Sequence, residues 1–139
     1  MNIFLIQPLH DDLLSKNQRI ERVYHAIKNI QNTDFIVLPE LWNTGFFSYD
    51  NYKKNSEAEN GETVTMLRDA AREKNAYICT GSIIESSGDK LYNTVYMLSP
   101  QGKIIGKYRK IHLFGNEKKY LCRGGKISVC NTDFGRIGL

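Results

Sequence analysis

Two short apolar runs, Ile3-Phe4-Leu5-Ile6 and Phe35-Ile36-Val37-Leu38, flank a segment in which Ile20, Val23, Tyr24, Ile27 and Ile30 recur every three or four residues. The runs suit buried strands, and the recurrence puts one apolar stripe on a helix. No other feature limits the fold as much, because alternating strands and helices must bury a sheet against a helical layer. The pattern predicts a strand over 2–7, a helix over about 11–30 and a strand over 33–38, the last bounded by Asn32 and Pro39. Glu40 follows that strand directly. In alternating α/β folds ligand sites gather at strand C-termini, where the strand holds the backbone and the loop faces a crevice.

The stretch from Gly45 to Gly61 is polar and irregular, as pocket walls and flexible connectors are. Thr63 is a fitting N-cap for a helix to about Asn75, with Leu67, Ala70, Ala71 and Lys74 on one face. Ala76 to Ile84 and Leu91 to Leu98 read as a hairpin around the turn residues Glu85-Ser86-Ser87-Gly88-Asp89. A strand over 103–107 follows the turn Pro100-Gln101-Gly102. Two further strands, 127–130 and 134–139, flank Asn131-Thr132-Asp133. The order predicts an α/β fold: a mixed sheet with helices on one face. At 139 residues the chain holds at most one domain, with no internal repeat. Its last residues, Arg136-Ile137-Gly138-Leu139, carry no polar stop, which predicts an interrupted domain, since termini usually lie at surfaces.

Composition narrows the functions available. No run approaches the roughly 18 apolar residues of a membrane span, and the N-terminus reads as a strand, not as a signal peptide. Cys79, Cys122 and Cys130 form no C-x-x-C pair. An odd count without metal spacing fits a reducing, cytoplasmic setting and implies no metal site. The net charge of +4 is concentrated in Lys107, Arg109, Lys110, Lys118, Lys119, Arg123 and Lys126, against the single acid Glu117. Such a run attracts phosphates, but it lacks interleaved aromatic residues for base stacking. A solvated surface with one functional lysine is the preferred reading, with no nucleic-acid partner and no membrane.

Glu40 stands between a buried strand and a loop carrying Trp42, Phe46 and Phe47. A carboxylate there would lose hydration, which disfavours its charge and suits a general base. A solvent-facing acid is the alternative. Lys110, between Tyr108-Arg109 and Ile111-His112-Leu113-Phe114, is placed to turn inward toward a carboxylate and stabilise an oxyanion. A plain surface lysine is the alternative there. His112 lacks a neighbouring Ser or Cys and reads as a structural, hydrogen-bonding histidine. His10 and His25 carry no motif, and Gly124-Gly125 read as turn glycines. Asn93 reads as a cross-strand hydrogen-bonding residue.

Taken together, Leu38-Pro39-Glu40 with Thr44-Gly45-Phe46, and Tyr108-Arg109-Lys110-Ile111-His112-Leu113-Phe114, resemble the glutamate and lysine signatures of the carbon–nitrogen hydrolase (nitrilase/amidase) superfamily. Gly81-Ser82-Ile83, Leu91-Tyr92-Asn93-Thr94 and Gly102-Lys103-Ile104 are similar to that family in the same order. The resemblance covers essentially the whole chain and corresponds to roughly the N-terminal half of a family domain. It implies an α-β-β-α sandwich, often dimerised, and a Cys-Glu-Lys mechanism through a thioester. In that mechanism Glu40 would be the proton carrier and Lys110 the support of the tetrahedral intermediate. Glu117 would match a second glutamate found in many members, with Trp42 and Phe46 at the substrate pocket.

The family's cysteine follows a strand of the type Gly-x-Ile-Gly-Leu. Gly135-Arg136-Ile137-Gly138-Leu139 matches that strand, so the nucleophile is expected just beyond Leu139, and neither Cys122 nor Cys130 takes its place. The resemblance therefore implies a truncated or split amidase whose complete form hydrolyses a small amide, closest to members acting on ω-amides of dicarboxylic acids. The chain alone would be inactive. The alternative is a non-catalytic pseudoenzyme module that binds a complementary half or another partner. No cofactor is implied.

Overall fold

The computed structural model describes residues 1–9, 11 and 13–139. His10, and the part of the first expected helix at Asp12, lie outside the described residues. Five strands form one mixed sheet in the order β1 (Ile3–Leu5), β2 (Phe35–Val37), β3 (Tyr77–Ser87), β4 (Lys90–Leu98) and β5 (Ile104–Arg109). β1, β2 and β3 run parallel, and β3, β4 and β5 run antiparallel. The difference follows from the connections. Parallel neighbours need a crossover, which the helices α1 (Lys16–Lys28) and α3 (Glu62–Lys74) supply. Antiparallel neighbours need only a turn, and Gly88, at φ +59°, begins the two-residue link between Ser87 and its partner Lys90. The hairpin is longer than its composition indicates. Glu85, Ser86 and Ser87 are strand residues paired with Tyr92, Leu91 and Lys90, because cross-strand pairing overrides their turn-like character.

Side chains alternate across the sheet, so neighbouring residues enter different cores. Ile36, Ile78 and Leu98 pack with Ile20, Val23 and Ile27 of α1 and with Val64, Leu67, Ala70 and Ala71 of α3. Phe35, Tyr77 and Met97 form a second cluster with Cys130. The expected helical layer on one face is found. Cys130 belongs to β6 (Val129–Thr132), which pairs with β7 (Gly135–Gly138) as a separate two-stranded sheet. The terminal strands therefore lie against the main sheet and do not extend it.

Both long helices start later or earlier than their apolar stripes indicate. α1 begins only at Lys16, where Ser15 accepts from the Gln18 backbone N–H and Gln18 Oε1 accepts in return from the Ser15 N–H, a reciprocal capping box. Thr63 is not the cap of α3. The helix starts at Glu62 after Gly61, and the Glu57 carboxylate accepts from Thr63 N at 2.8 Å in place of a local cap. Lys16 pairs with Glu57 at 2.7 Å, tying the starts of the two helices together. The polar 45–61 segment is ordered by a 3₁₀ turn (Tyr49–Asn51) and a single helical turn α2 (Tyr52–Asn55). Tyr52 is buried and donates its hydroxyl to Phe46 O at 2.6 Å, so the segment is a built wall of the region beyond Glu40.

Candidate active site

Two backbone clamps place Glu40. Leu38 N donates to Cys79 O at 3.0 Å before it, and Leu41 N donates to Ser82 O at 2.9 Å after it. Between these partners β3 shifts register, and Gly81 takes φ +61°. A Cβ at Gly81 would collide with the Pro39 carbonyl oxygen and the Leu38 backbone, so only glycine lets β3 pass this close. Leu41 itself adopts φ +47° while wholly buried. That strained conformation is held by the clamp and by the packing of Leu41 against Tyr52, Ile84, Leu113 and Leu121. It turns the chain so that Glu40 projects outward as its neighbour is buried.

Lys110 follows β5. Its N–H donates to Asn93 O at 2.8 Å, and its carbonyl accepts from Gly124 N at 3.0 Å. Gly124 must be glycine here, since a Cβ would collide with the Arg109 carbonyl oxygen. Glu117 opens the short helix α4 (Glu117–Tyr120) and has no exposed surface.

These elements bring Glu40, Lys110 and Glu117 together. Lys110 Nζ donates to Glu40 Oε1 at 2.7 Å and to Glu117 Oε2 at 2.9 Å. Glu117 Oε2 also accepts from Phe114 N at 2.7 Å. Asn93, on β4, joins them. Its Nδ2 donates to Glu40 Oε1 at 2.8 Å and to Glu117 Oε1 at 3.0 Å. Lys110 Nζ lies 5.5 Å from the centre of the Phe46 ring, within reach of a cation–π attraction.

Burial alone would push the Lys110 ammonium down, but hydrogen bonds from it to Glu117 and Glu40 raise it above its ordinary value. Burial likewise pushes Glu117 up, and donors from Lys110, Asn93 and Phe114 outweigh it and hold the carboxyl below its ordinary range. Lys110 and Glu117 are therefore both charged at neutral pH. A carboxylate with an open oxygen beside a fixed ammonium is able to exchange a proton and to stabilise an oxyanion.

Several expectations change. The dehydration expected at Glu40 is absent, because its side chain is 45% exposed. Trp42 lies in the helix-side core and donates its indole N–H to Thr80 O at 2.9 Å. With Glu40, Phe46 and Phe47 it also borders a cleft of about 350 Å³, which Lys110 and Glu117 do not line. His112 is exposed and makes no side-chain hydrogen bond among the described residues. Asn93 is no simple cross-strand residue. Its backbone meets Lys110 and its side chain meets both carboxylates, a convergence that a linear motif does not reveal.

The basic run is partly internal. Arg109 binds Glu85 through two hydrogen bonds of 2.8 Å, Lys107 reaches Glu85 at 2.7 Å and Glu59 at 2.7 Å, and Thr94 Oγ1 donates to Glu85 at 2.7 Å. Burial pushes Glu85 up, but these donors prevail and hold it down to about 2.

No cysteine sulfur bonds to Glu40 or Lys110 among the described residues. Cys130 Sγ faces Ile137 O at 3.5 Å, and burial pushes the thiols of Cys79 and Cys130 up, away from the reactive thiolate. Among the described residues no group of three His, Cys, Asp or Glu side chains is arranged to hold a metal ion, and no helix is long and apolar enough to cross a membrane.

The carbon–nitrogen hydrolase family profile matches residues 6–139. The chain is 33% identical to a 2-oxoglutaramate amidase of Paenarthrobacter nicotinovorans, over 93% of this chain and 46% of that protein. It is 34% identical to omega-amidase NIT2 of Homo sapiens, over 89% of this chain and 49% of that protein. The fold is similar to that of Nit3 of Saccharomyces cerevisiae, with a TM-score of 0.79 and 32% identity over 89% of this chain and 49% of that one. An amidase from Nesterenkonia sp. matches in fold with a TM-score of 0.83 at 21% identity, over 99% of this chain and 54% of that one. The chain spans about half the length of the curated relatives it matches.

Proposed function

This chain belongs to the carbon–nitrogen hydrolase family, and from that premise we propose that it carries the proton-transfer half of an amidase that hydrolyses small ω-amides. The observation that carries the reading is the Lys110 ammonium, shared between Glu40 at 2.7 Å and Glu117 at 2.9 Å. In this reading a cysteine from outside residues 1–139 attacks the amide carbon. Its thiol proton goes to Glu40, and Lys110 stabilises the oxygen that becomes negative. Collapse of the tetrahedral intermediate breaks the C–N bond, with Glu40 returning the proton to the departing ammonia and leaving a thioester. Glu40 then takes a proton from water, which attacks the thioester; collapse breaks the C–S bond and frees the acid, and Glu40 returns its proton to the departing sulfur, restoring the thiol. Glu117, buried and fully bonded, orients Lys110. Phe46 and Trp42 shape the entrance beside Glu40. A cytosolic setting accompanies this reading, because the thiol must stay reduced.

The names of two relatives, 2-oxoglutaramate amidase and omega-amidase, support the substrate class. Residues 1–139 alone are then inactive. The test is ammonia release from a small ω-amide by the protein as encoded, with mass-spectrometric location of the trapped thioester. Acylation of a cysteine other than Cys79, Cys122 and Cys130 supports the reading. Acylation of one of these three, or no hydrolysis at all, overturns it.

One observation favours a second reading, a non-catalytic module that binds the complementary half of the same fold. β1 is an edge strand with all three residues exposed, Leu5 by 75%, and such an edge is a template for pairing. Stable association with a separately expressed second half, without turnover, would select that reading.

A further inference from the structure

The network around Lys110 has one hub. We propose that Asn93 is a positioning residue, which fixes the two carboxylates relative to Lys110 and reserves Glu40 Oε2 as the oxygen that moves protons. The inference rests on the amidase reading for its catalytic consequence, but its structural basis is independent.

Asn93 is 97% buried by its 3% relative exposure, and it sits mid-strand on β4, paired with Ile84 of β3. Its single Nδ2 carries two hydrogens, and both are used, one on Glu40 Oε1 and one on Glu117 Oε1. The opposite amide orientation would aim a carbonyl oxygen at two carboxylate oxygens. It would need a shared proton to avoid repulsion, whereas Lys110 already supplies donors to both groups. An amide N–H₂ donates only. Unlike a hydroxyl or a second acid, it rewards the charged form of Glu117 and has nothing to give to an O–H at that oxygen. Asn93 is therefore one of the donors that hold the Glu117 carboxyl below its ordinary range, and it gives Glu40 Oε1 a fixed partner.

The same contact sorts the oxygens of Glu40. Oε1 receives both Lys110 and Asn93, and no hydrogen bond reaches Oε2 among the described residues. Two donors on one oxygen fix the carboxylate plane and leave the other oxygen free. Glu117 differs, since Oε1 takes Asn93 and Oε2 takes Lys110 and Phe114 N. Both of its oxygens are occupied, so it is unsuited to proton exchange with substrate. Asn93 also reaches Lys110 through the backbone, because its carbonyl accepts the Lys110 N–H at 2.8 Å. One strand residue thus sets the base, the ammonium and the supporting acid relative to each other.

The test uses Asn93→Leu and Asn93→Asp in the protein as encoded, both checked for fold by circular dichroism. The Glu117 carboxyl is followed by ¹³C NMR titration, assigned with Glu117→Gln, and kcat and KM are measured on a small ω-amide. Loss of one donor in Asn93→Leu raises the Glu117 midpoint by about one pH unit. It lowers kcat by about tenfold or more with KM changed by less than about twofold, since the lost orientation matters in the transition state. Asn93→Asp keeps the shape but replaces a donor by a third acid, so the Glu117 midpoint rises and kcat falls at least as far. A merely structural role would lower stability and leave the titration unmoved. A folded Asn93→Leu with unchanged midpoint and unchanged kcat overturns the proposal, and if that variant does not fold, an unchanged midpoint in Asn93→Asp overturns it. If the parent protein itself shows no turnover, the amidase reading fails, and the titration decides the role of Asn93 separately.

Discussion

Glu85 makes the sharpest quantitative prediction for the scaffold behind the site. It is 2% exposed at the middle of the sheet and gathers Arg109, Lys107 and Thr94 around one carboxylate. Its folded-state value of about 2 lies below its ordinary 4.5. The folded protein thus binds that proton less readily than the unfolded chain. The resulting stabilisation is fully present above pH 4.5 and is lost as pH falls toward 2. At roughly 1.4 kcal/mol per pH unit, the shift corresponds to about 3 kcal/mol. Glu85→Gln removes the charge while preserving size, and should lower stability at pH 7 by about 3 kcal/mol, near 10 °C in melting temperature for a chain of this length. The assay is urea unfolding of the parent and the variant at pH 7 and pH 3. All other acids titrate in both proteins, so the gap between them isolates Glu85. The gap should shrink to about half by pH 3. A gap that stays constant with pH, or that is below about 1 kcal/mol at pH 7, refutes the reasoning.

Other outcomes follow from single contacts. Gly81→Ala meets both a left-handed φ and the Pro39 carbonyl, so it should cost about 2 kcal/mol or more and displace Glu40, read by unfolding and by loss of turnover. Lys110→Met leaves two carboxylates facing each other, so the Glu117 midpoint should rise from its depressed position, visible in an NMR titration. Tyr96 has a buried hydroxyl with no hydrogen-bond partner among the described residues. Tyr96→Phe should therefore be neutral or stabilising by up to about 1 kcal/mol in thermal unfolding.

The strand–helix–strand order was legible because its apolar periods are clean, and the burial of Ile36, Ile20 and Ile27 in one cluster follows directly from them. β1, expected to be buried, is instead an exposed edge strand, because the sheet has no neighbour on that side among the described residues. Glu40, Lys110 and Glu117 were legible as motif positions, and the fold brings both carboxylates within hydrogen-bond reach of the Lys110 ammonium. What was not legible depends on three-dimensional convergence. Asn93 lies in an ordinary strand pattern, and its role exists only because β4 passes beneath both the loop after β2 and the start of α4. The role of Glu57 as the external cap of α3 is another case, since it comes from a residue outside the helix. The capping box of Ser15 and Gln18 was readable in the chain, but the longer apolar stripe obscured the true helix start. Glu85 looked like a turn residue because composition does not show that a buried acid has three donors waiting.

The most direct measurement is ammonia release from a small ω-amide by the protein as encoded and by its Glu40→Gln variant, with matched far-UV circular dichroism. Glutamine keeps an oxygen for Lys110 but cannot carry a proton. The account predicts turnover in the parent and a loss of roughly a thousandfold in the variant, the scale of a removed general base. Turnover retained in a folded Glu40→Gln protein would contradict it.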